Sequence, residues 1–428
     1  MDFENTLEFA QSLDQQDELR DYRNQFHIPQ HNGKDSIYFT GNSLGLQPKT
    51  TERYIKQELE DWKNLGVEGH FEGKRPWFHY HKFTKEALAK IVGAKPVEVV
   101  ALNNLTSNLH FMMVSFYRPS KKRYKIIAEA GAFPSDQYAL ETQIKFHATV
   151  HDEPVFDPND ALVELKPREG EHTLRKEDII TKIKEIGEEL ALVMIGGVQY
   201  YTGQFFDIKS ITQAAHDVGA YAGFDLAHGV GNVPVNLHDS EVDFAVWCSY
   251  KYLNSGPGGT SGIFVHEKHG KNSEIPRFGG WWGHSEEQRF LMKKGFIPME
   301  GADGWQLSNV NVLTSAAHLA SLEIFNEVSI DRLRAKSVKL TGYLEYLINE
   351  LNVDSDYLEI ITPSDPEQRG CQLSLFVNKN GRRVFEYLTK HGVIADWREP
   401  NVIRVAPVPL YNTFEDVYRF VSLLKEAL

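Results

Sequence analysis

The stretch Trp247-Cys248-Ser249-Tyr250-Lys251-Tyr252-Leu253-Asn254 decides the interpretation of this chain, because its lysine directly follows a predicted buried strand. Asp225 stands at the end of the preceding predicted strand. Most lysines lie on the surface, but Lys251 is followed by a glycine-rich tight turn and a further strand. A carboxylate after an apolar strand is costly to bury unless a cation or a hydrogen-bond donor faces it. The two residues are therefore candidates for chemistry.

Lys251 and Asp225 together have the chemistry that a pyridoxal-phosphate enzyme requires. The lysine amine forms a Schiff base with the cofactor, and the carboxylate keeps the pyridinium nitrogen protonated. A metal is the alternative partner of Asp225, since His228 follows closely, but the segment has no third ligand at a suitable spacing. We therefore predict pyridoxal 5'-phosphate and no metal, with His228 hydrogen-bonding near the cofactor.

Strands and helices alternate between about residues 90 and 270, which favours a mainly parallel sheet covered on both faces. Past residue 310, two long helices lead into a smaller α+β pattern. We expect an α/β fold of the fold type I (aspartate-aminotransferase) kind, with ligands beyond the carboxyl ends of the strands. The predicted division is an N-terminal segment (1–60) packing with the small domain, a large cofactor-binding domain (61–312) and a small α+β domain (313–428).

Two helices are predicted before the alternating region. Residues 1–24 have the pattern of an acidic amphipathic helix. Residues 51–65 have that of a second helix, with Ile55, Leu59 and Trp62 on one stripe.

The composition excludes several classes of partner. A net charge of −13 over 428 residues argues against nucleic acid, because phosphate contacts need a concentrated basic surface. There is no cationic segment followed by an apolar one at the start, and no apolar run approaches the roughly 20 residues of a membrane span. Two cysteines, Cys248 and Cys371, suit a reducing compartment. A cytoplasmic location without membrane contact is expected.

Four further segments carry candidate site residues, each with a structural alternative. Asn103 to Asn108 precede a helical pattern and predict either an anion site or plain N-capping. Phe133 follows a strand and either stacks on a planar cofactor or fills the core. Trp281 and Trp282 are adjacent in a glycine-flanked loop that suits a ligand or a partner. Arg404, within an apolar strand, needs an anion, either a substrate carboxylate or a structural ion pair.

Taken together, these segments resemble the kynureninase family, pyridoxal-phosphate enzymes of the aspartate-aminotransferase fold and the class V aminotransferase-like group. The resemblance covers nearly the whole chain. The matching stretches are Phe39–Leu46, Gly69–Trp77, Asn104–His110, Phe133–Asp136, Tyr200–Gln204, Phe224–His228, Cys248–Asn254, Trp281–His284 and Arg404–Asn412. Trp282 departs from the family pattern, in which another aromatic residue is common.

The resemblance implies a role for each matched residue. The catalytic residues are the Schiff-base lysine Lys251 and Tyr250, which also contacts the cofactor phosphate. Arg404 binds the substrate α-carboxylate, and His70 lines the substrate ring pocket. Trp281 and Asn309 complete the site from a second subunit of a homodimer, with Asn309 also near the substrate. The other cofactor-binding residues are Leu105, Thr106, Phe133, Pro134, Ser135, Asp136, Asp225 and His228.

The implied reaction is hydrolytic cleavage of the Cβ–Cγ bond of L-kynurenine or 3-hydroxy-L-kynurenine, giving anthranilate or 3-hydroxyanthranilate and L-alanine. The family's place is in tryptophan catabolism, and a part in NAD precursor synthesis stays open. Three rivals are a cysteine desulfurase, an aminotransferase and a cofactor-binding protein without turnover. A desulfurase needs a mobile cysteine, and neither Cys248 nor Cys371 suits that role. A mere binder needs no carboxylate clamp such as Arg404.

Overall fold

A seven-stranded sheet forms the centre of the larger unit in the computed structural model, which describes residues 3–149, 154–352 and 357–428. The strands, in chain order, are β1 (Gln30–His31), β2 (Lys34–Asp35), β3 (Ile37–Tyr38), β4 (Val99–Ala101), β5 (Lys125–Glu129), β6 (Leu162–Leu165), β7 (Leu190–Gly196), β8 (Tyr221–Asp225), β9 (Phe244–Trp247), β10 (Gly262–Val265), β11 (Leu358–Ile360), β12 (Leu373–Val377), β13 (Val393–Ile394), β14 (Asp396–Arg398) and β15 (Val402–Val405).

The α-helices are α1 (Leu7–Gln16), α2 (Thr51–Leu65), α3 (Gly69–Glu72), α4 (Lys85–Val92), α5 (Leu105–Phe116), α6 (Pro134–Ala148), α7 (Lys176–Ile186), α8 (Ile208–Asp217), α9 (Glu267–Gly270), α10 (Val312–Glu327), α11 (Ile330–Asn352), α12 (Gly381–Lys390) and α13 (Phe414–Ala427). Short 3₁₀ segments lie at Arg20–Gln25, Gly66–Glu68, Trp77–Thr84, Pro96–Glu98, Gly187–Glu189, Arg289–Leu291, Gly301–Trp305 and Pro366–Gln368. No helix of the described ranges is long and apolar enough to cross a membrane.

The large sheet has the strand order β4-β10-β9-β8-β7-β5-β6. The strands β9, β8, β7, β5 and β6 are parallel, and β10 is antiparallel to both of its neighbours. Every residue of β7 and β9 is buried, as expected for strands covered by helices on both faces. The predicted α/β fold with a mainly parallel large sheet is confirmed.

A four-stranded antiparallel sheet, β11-β12-β15-β14, forms the smaller unit near the C-terminus. Its apolar face packs against α11 and α13 through residues such as Leu344, Leu375 and Phe420, all buried. This arrangement of helices on one side of an antiparallel sheet is α+β, as the sequence pattern indicates.

The N-terminal segment is attached to the smaller unit. The strand β3 pairs in parallel with β13, and Ala406 N donates a hydrogen bond to Phe39 O at 2.9 Å. The Phe39 ring packs edge-on against Phe420, with centroids 5.4 Å apart. These contacts join β3 and Phe39 to the smaller unit, and the division into 1–60, 61–312 and 313–428 stays a prediction.

Of the two predicted N-terminal helices, the first differs from the expectation. The helix predicted over 1–24 is wrong as one element, since α1 ends at Gln16 and a 3₁₀ segment follows from Arg20. Between them the Asp17 carboxylate accepts a hydrogen bond from Leu19 N at 2.9 Å, a local bond that competes with helix. Residues 1–2 lie outside the described residues.

The helix α2 has the predicted bounds, and two of the three residues of its apolar stripe point away from the core. Leu59 and Trp62 are exposed, whereas Glu58 is buried. The Glu58 carboxylate accepts hydrogen bonds of 2.9 Å from Arg75, Trp77 and Tyr80. Glu58 thus occupies a buried position with its hydrogen bonds satisfied, and Leu59 and Trp62 are left on the surface. Ile55, the third residue of the stripe, is half-buried and packs against the cluster around Tyr80.

His318 provides a test of packing in the larger unit. It is buried in α10, and neither ring nitrogen has a hydrogen-bond partner among the described residues. Burial lowers the pKa of His318 to about 3. Unfolded histidine takes up a proton near pH 6.5, so the free energy of unfolding must decrease as the pH falls through the window between these two pKa values.

We expect the His318→Leu variant to lose this acid sensitivity. Within the window, the pH slope of the free energy of unfolding should be smaller in the variant by up to about 1.4 kcal/mol per pH unit. Urea unfolding at a series of pH values measures the slope, and the variant of exposed His27, His27→Leu, is the control. Equal slopes for wild type and His318→Leu would contradict the prediction.

Candidate active site

A cavity of about 400 Å³ opens at the carboxyl ends of β5, β7, β8 and β9. This is where parallel α/β sheets bind ligands, and the volume is typical of a small-molecule site. It brings together most of the residues predicted from the sequence. The predicted residues that line it are Leu105, Thr106, Phe133, Ser135, Asp136, Asp225, His228, Tyr250, Lys251 and Arg404.

Lys251 lies in the turn that follows β9, and the loop of residues 40–46 packs against the backbone of that turn. Gly45 N donates a hydrogen bond to Tyr250 O at 2.8 Å. A Cβ atom at Gly45 would lie 2.3 Å from Lys251 O and 2.2 Å from Asn254 Oδ1. The close approach of the two backbones therefore requires glycine at position 45.

Phe133 faces the cavity. Its side chain is 42% exposed, which excludes the alternative that it fills the core. The Lys251 Nζ atom lies 5.8 Å from the ring centroid, and the Tyr200 ring packs perpendicular to Phe133 at 5.3 Å. An aromatic face beside the lysine amine is suited to stacking on a planar ring.

Two helix starts meet at one side of the cavity. Asn104 caps α5, and its Oδ1 accepts a hydrogen bond from Ser107 N at 3.1 Å. Thr106 Oγ1 and Ser135 Oγ, from the first turns of α5 and α6, are 2.7 Å apart. N-capping is therefore present, and the anion site stays a prediction that suits the N–H groups and hydroxyls of these helix starts. Pro134 begins α6 but is exposed and does not line the cavity.

Three carboxyl groups, those of Glu129, Asp136 and Asp225, also line the cavity. Asp225 ends β8, and its Oδ1 accepts a hydrogen bond from Ala227 N at 2.7 Å. Burial and the adjacent Asp225 carboxylate raise the pKa of Asp136 well above its ordinary value. Burial also raises the pKa of Glu129 to about 7, although both of its oxygens accept a hydrogen bond from Gly196 N. A cationic ring nitrogen would relieve this concentration of carboxyls.

Glu129 was not predicted from the sequence. It directly follows the predicted strand 125–128, as Asp225 follows its own strand, so the same signal was present.

His228 is buried beside the cavity. Burial and the positive charges of Lys251 and Arg404 lower the pKa of His228 well below its ordinary value, so the ring is neutral. Its Nδ1 has no partner among the described side chains. A neutral imidazole with a free nitrogen can hydrogen-bond a ligand in the cavity.

Arg404 combines the two alternatives drawn from the sequence. It is 1% exposed, its Nη1 donates a hydrogen bond of 2.5 Å to Tyr200 O, and its Nη2 pairs with Asp396. Burial lowers the pKa of Arg404 to about 10, which leaves the guanidinium charged at neutral pH. The structural ion pair exists, yet Arg404 Nε has no partner within the described residues and remains free for an anion.

The residues present fit pyridoxal 5'-phosphate. The cavity has an amine, a ring platform, an anion site at two helix starts and a wall of carboxyls. Several of its buried polar atoms also have no partner in the described chain, as expected where a ligand completes the hydrogen bonding. These atoms are Asn42 Oδ1, Asp136 Oδ1, His228 Nδ1 and Arg404 Nε.

Besides Pro134, three predicted residues do not line this cavity. His70 and Asn309 line a second, apolar cavity of about 290 Å³ together with Trp62. Trp281 is 40% exposed on the surface. Trp282 is buried, and the Arg289 guanidinium carbon lies 4.6 Å from its ring centroid, so its own chain places it in packing.

Neither cysteine has the environment of a nucleophile. Cys248 directly follows β9 and Cys371 lies just before β12, and both are buried. Burial raises the pKa of Cys248 to about 11 and that of Cys371 to about 12. Since the thiolate is the reactive form, both thiols are unreactive at neutral pH.

One group of potential metal ligands lies away from the cavity, formed by Glu98, His238 and His266. The two imidazole rings are stacked, with centroids 4.9 Å apart and planes at 16°, and His238 Nδ1 lies 2.9 Å from Glu98 Oε1. The in-plane lone pairs of parallel rings cannot both point at one ion. We interpret the group as a hydrogen-bonded cluster.

Comparisons with known proteins agree across the whole chain. A model of the kynureninase C-terminal domain matches residues 333–424. The chain is 57% identical to the kynureninase of Flavobacterium psychrophilum, covering 100% of this chain and 99% of that protein. It is 54% identical to the kynureninase of Myxococcus xanthus, covering 99% of this chain and 97% of that protein.

Two solved structures show the same fold at low identity. The cystine C–S lyase C-DES superposes with a TM-score of 0.76 at 15% identity, covering 92% of this chain and 98% of that chain. The cysteine desulfurase of Thermococcus onnurineus NA1 superposes with a TM-score of 0.73 at 18% identity, covering 91% and 94%. Such low identities bear on the fold alone.

The buried thiols lead to a prediction that separates this site from a desulfurase. At neutral pH we expect Cys248 and Cys371 of the folded holoenzyme to react with iodoacetamide at least about a hundredfold more slowly than in denaturant. Mass spectrometry of the labelled peptides measures each rate, and Cys248→Ser and Cys371→Ser assign the signals. Rapid labelling of Cys248 in the folded protein would contradict the prediction.

Proposed function

The chain belongs to the kynureninase family, and we propose from that premise that it hydrolyses the Cβ–Cγ bond of L-kynurenine and of 3-hydroxy-L-kynurenine. The products are anthranilate or 3-hydroxyanthranilate, and L-alanine. One observation carries the proposal, namely that Lys251, Asp225 and Arg404 line one cavity although they come from distant parts of the chain. An amine, a carboxylate and a buried guanidinium are the three groups that an amino-acid substrate and its cofactor require.

Pyridoxal 5'-phosphate, the family's cofactor, supplies an electron sink that stabilises negative charge on substrate carbon. Lys251 would hold it covalently, Asp225 would face the ring nitrogen, and Phe133 would stack on the ring. The helix starts at Leu105 and Ser135, together with Tyr250, would hold its phosphate.

The protein's own groups move the protons. The Lys251 amine, released from its covalent link, removes the proton from the substrate Cα. Burial and the adjacent Cys248 thiol raise the pKa of Tyr250, so its phenol stays protonated and can donate a proton to Cβ after cleavage. Arg404 Nε, which has no partner in the described chain, binds the α-carboxylate and fixes the orientation of Cα.

We propose that residues from a second subunit bind the aromatic ring of the substrate. His70 and Asn309 share an apolar cavity away from Lys251 in the same chain, and both can hydrogen-bond a ring hydroxyl. This supports acceptance of kynurenine and of its 3-hydroxylated form. The place in tryptophan catabolism, the link to NAD precursor synthesis and the cytoplasmic location are part of the same proposal.

The surface of the chain supports a homodimer with shared active sites. A continuous row of rings runs from His70 to Trp281. Successive centroids are 6.3, 5.9, 5.7 and 5.9 Å apart in the order His70, Phe71, Phe78, Phe290 and Trp281. We call these five residues the ring row.

Further exposed apolar side chains enlarge this part of the surface. They are Leu59, Trp62, Val67, Leu291, Met292 and Leu313. An exposed apolar area of this kind marks a protein interface. A second copy that covers the ring row would bury Trp281. It would also place its own active-site cavity near His70 and Asn309 of the first chain.

The first test concerns Lys251. We expect Lys251→Ala to lower multiple-turnover cleavage of kynurenine at least about a thousandfold, because both the covalent link and the Cα base are lost. Fluorescence of anthranilate, followed together with alanine release, measures the rate for each of the two substrates. The variant of exposed Lys271, Lys271→Ala, is the matched control. Sustained turnover by Lys251→Ala would disprove the assignment.

The second test is subunit complementation. Lys251→Ala is co-expressed with the double variant His70→Ala/Asn309→Ala, each with its own affinity tag, and the mixed dimer is purified. If His70 and Asn309 act across the interface, one of the two sites is intact and the mixed dimer should have about half of the wild-type activity. If they act within their own chain, both sites are defective and the mixed dimer stays inactive.

A further inference from the structure

We propose that Arg398 and Asp396 form a charge-balancing pair that sets how strongly Arg404 attracts the substrate's carboxylate. The inference rests on the proposed function, in which Arg404 binds that carboxylate. Arg398 and Asp396 are then positioning residues, and Arg404 is the residue that touches the substrate.

The strand register brings the three side chains together. Asp396 and Arg398 are two residues apart on the edge strand β14, so they share one face, and Asp396 lies opposite Arg404 on β15. Asp396 Oδ2 contacts both guanidinium groups, that of Arg404 through Nη2 and that of Arg398 through Nη2 at 3.2 Å. One carboxylate oxygen is thus shared between two cations.

The three residues differ in burial. Arg404 is almost fully buried, and the side chains of Asp396 and Arg398 are 17% and 37% exposed. Arg398 also lines the cavity, on the side where it meets solvent. The order from inside to outside is cation, anion, cation.

We call Arg404, Asp396 and Arg398 the charge row, and its net charge is the sum of these three side chains. Without Arg398, the buried pair of Arg404 and Asp396 would be neutral, and an incoming carboxylate would meet the Asp396 charge at short range. With Arg398 present the row carries one net positive charge, which a single carboxylate neutralises. The other titratable groups of the cavity are Tyr200, Tyr250, Cys248, His228, Lys251 and the carboxyls of Glu129, Asp136 and Asp225.

The orientation of Arg404 is set independently of Arg398. Its Nη1 is held by Tyr200 O and its Nη2 by Asp396, so Nε remains as the free donor. Loss of Arg398 therefore changes the charge at this site more than its shape.

The test measures ligand binding to the holoenzyme. The holoenzyme is titrated with L-alanine and, separately, with L-alaninamide, which lacks the carboxylate. The change in the cofactor absorption band measures binding of each ligand. The wild type should bind L-alanine in preference, and Arg398→Gln should reduce that preference roughly three- to tenfold at low ionic strength. Arg398→Lys should keep most of it. The double variant Asp396→Asn/Arg398→Gln should recover it, because the row again carries one net positive charge.

Each outcome decides between the alternatives. A double variant as weak as Arg398→Gln would show that Arg398 binds the carboxylate directly and would overturn the inference. So would an unchanged preference in Arg398→Gln. Equal preference in wild type and Arg404→Lys would contradict the proposed role of Arg404 itself. Cofactor content and the thermal unfolding midpoint, measured for every variant, show that the folded holoenzyme is being compared.

Discussion

The parallel pairing of β8 with β7 and β9 is the constraint on which the site depends. The carboxyl ends of parallel strands lie at the same edge of the sheet. Residues that follow different strands are therefore neighbours in space although they are separated in the sequence. Asp225 at the end of β8 and Lys251 after β9 reach one cavity for this reason. The adjacent strand β5 brings Glu129 to the same edge. The acidic wall and the lysine amine therefore follow from topology before any ligand is considered.

The sequence predicted those parts of the fold and site that depend on local pattern. Buried apolar runs mark β7 and β9, and a polar residue after such a run marks Asp225 and Lys251. The strands β6 and β14 were missed because they are short and only partly buried. Asp396 and Arg398 were missed with β14, since their relation to Arg404 exists only in the strand register.

The apolar stripe of α2 shows a different limit of sequence interpretation. An apolar face predicts burial, but it does not say against what. Within one chain Glu58 occupies the buried position and Trp62 is 62% exposed, next to the cavity of His70 and Asn309. The prediction of a helix was right, and Leu59 and Trp62 of its apolar stripe lie on the face that the proposed dimer would cover. The same dimer would account for the separation of His70, Asn309 and Trp281 from Lys251.

The segment from Phe39 to Gly45 connects the smaller unit with the turn that carries Lys251. Phe39 is hydrogen-bonded to Ala406, two residues beyond Arg404, and Gly45 is hydrogen-bonded to Tyr250, one residue before Lys251. Arg404 and Lys251 belong to different units, yet one short stretch of chain is hydrogen-bonded close to both. A shift of the smaller unit is thus transmitted to the turn that carries the amine.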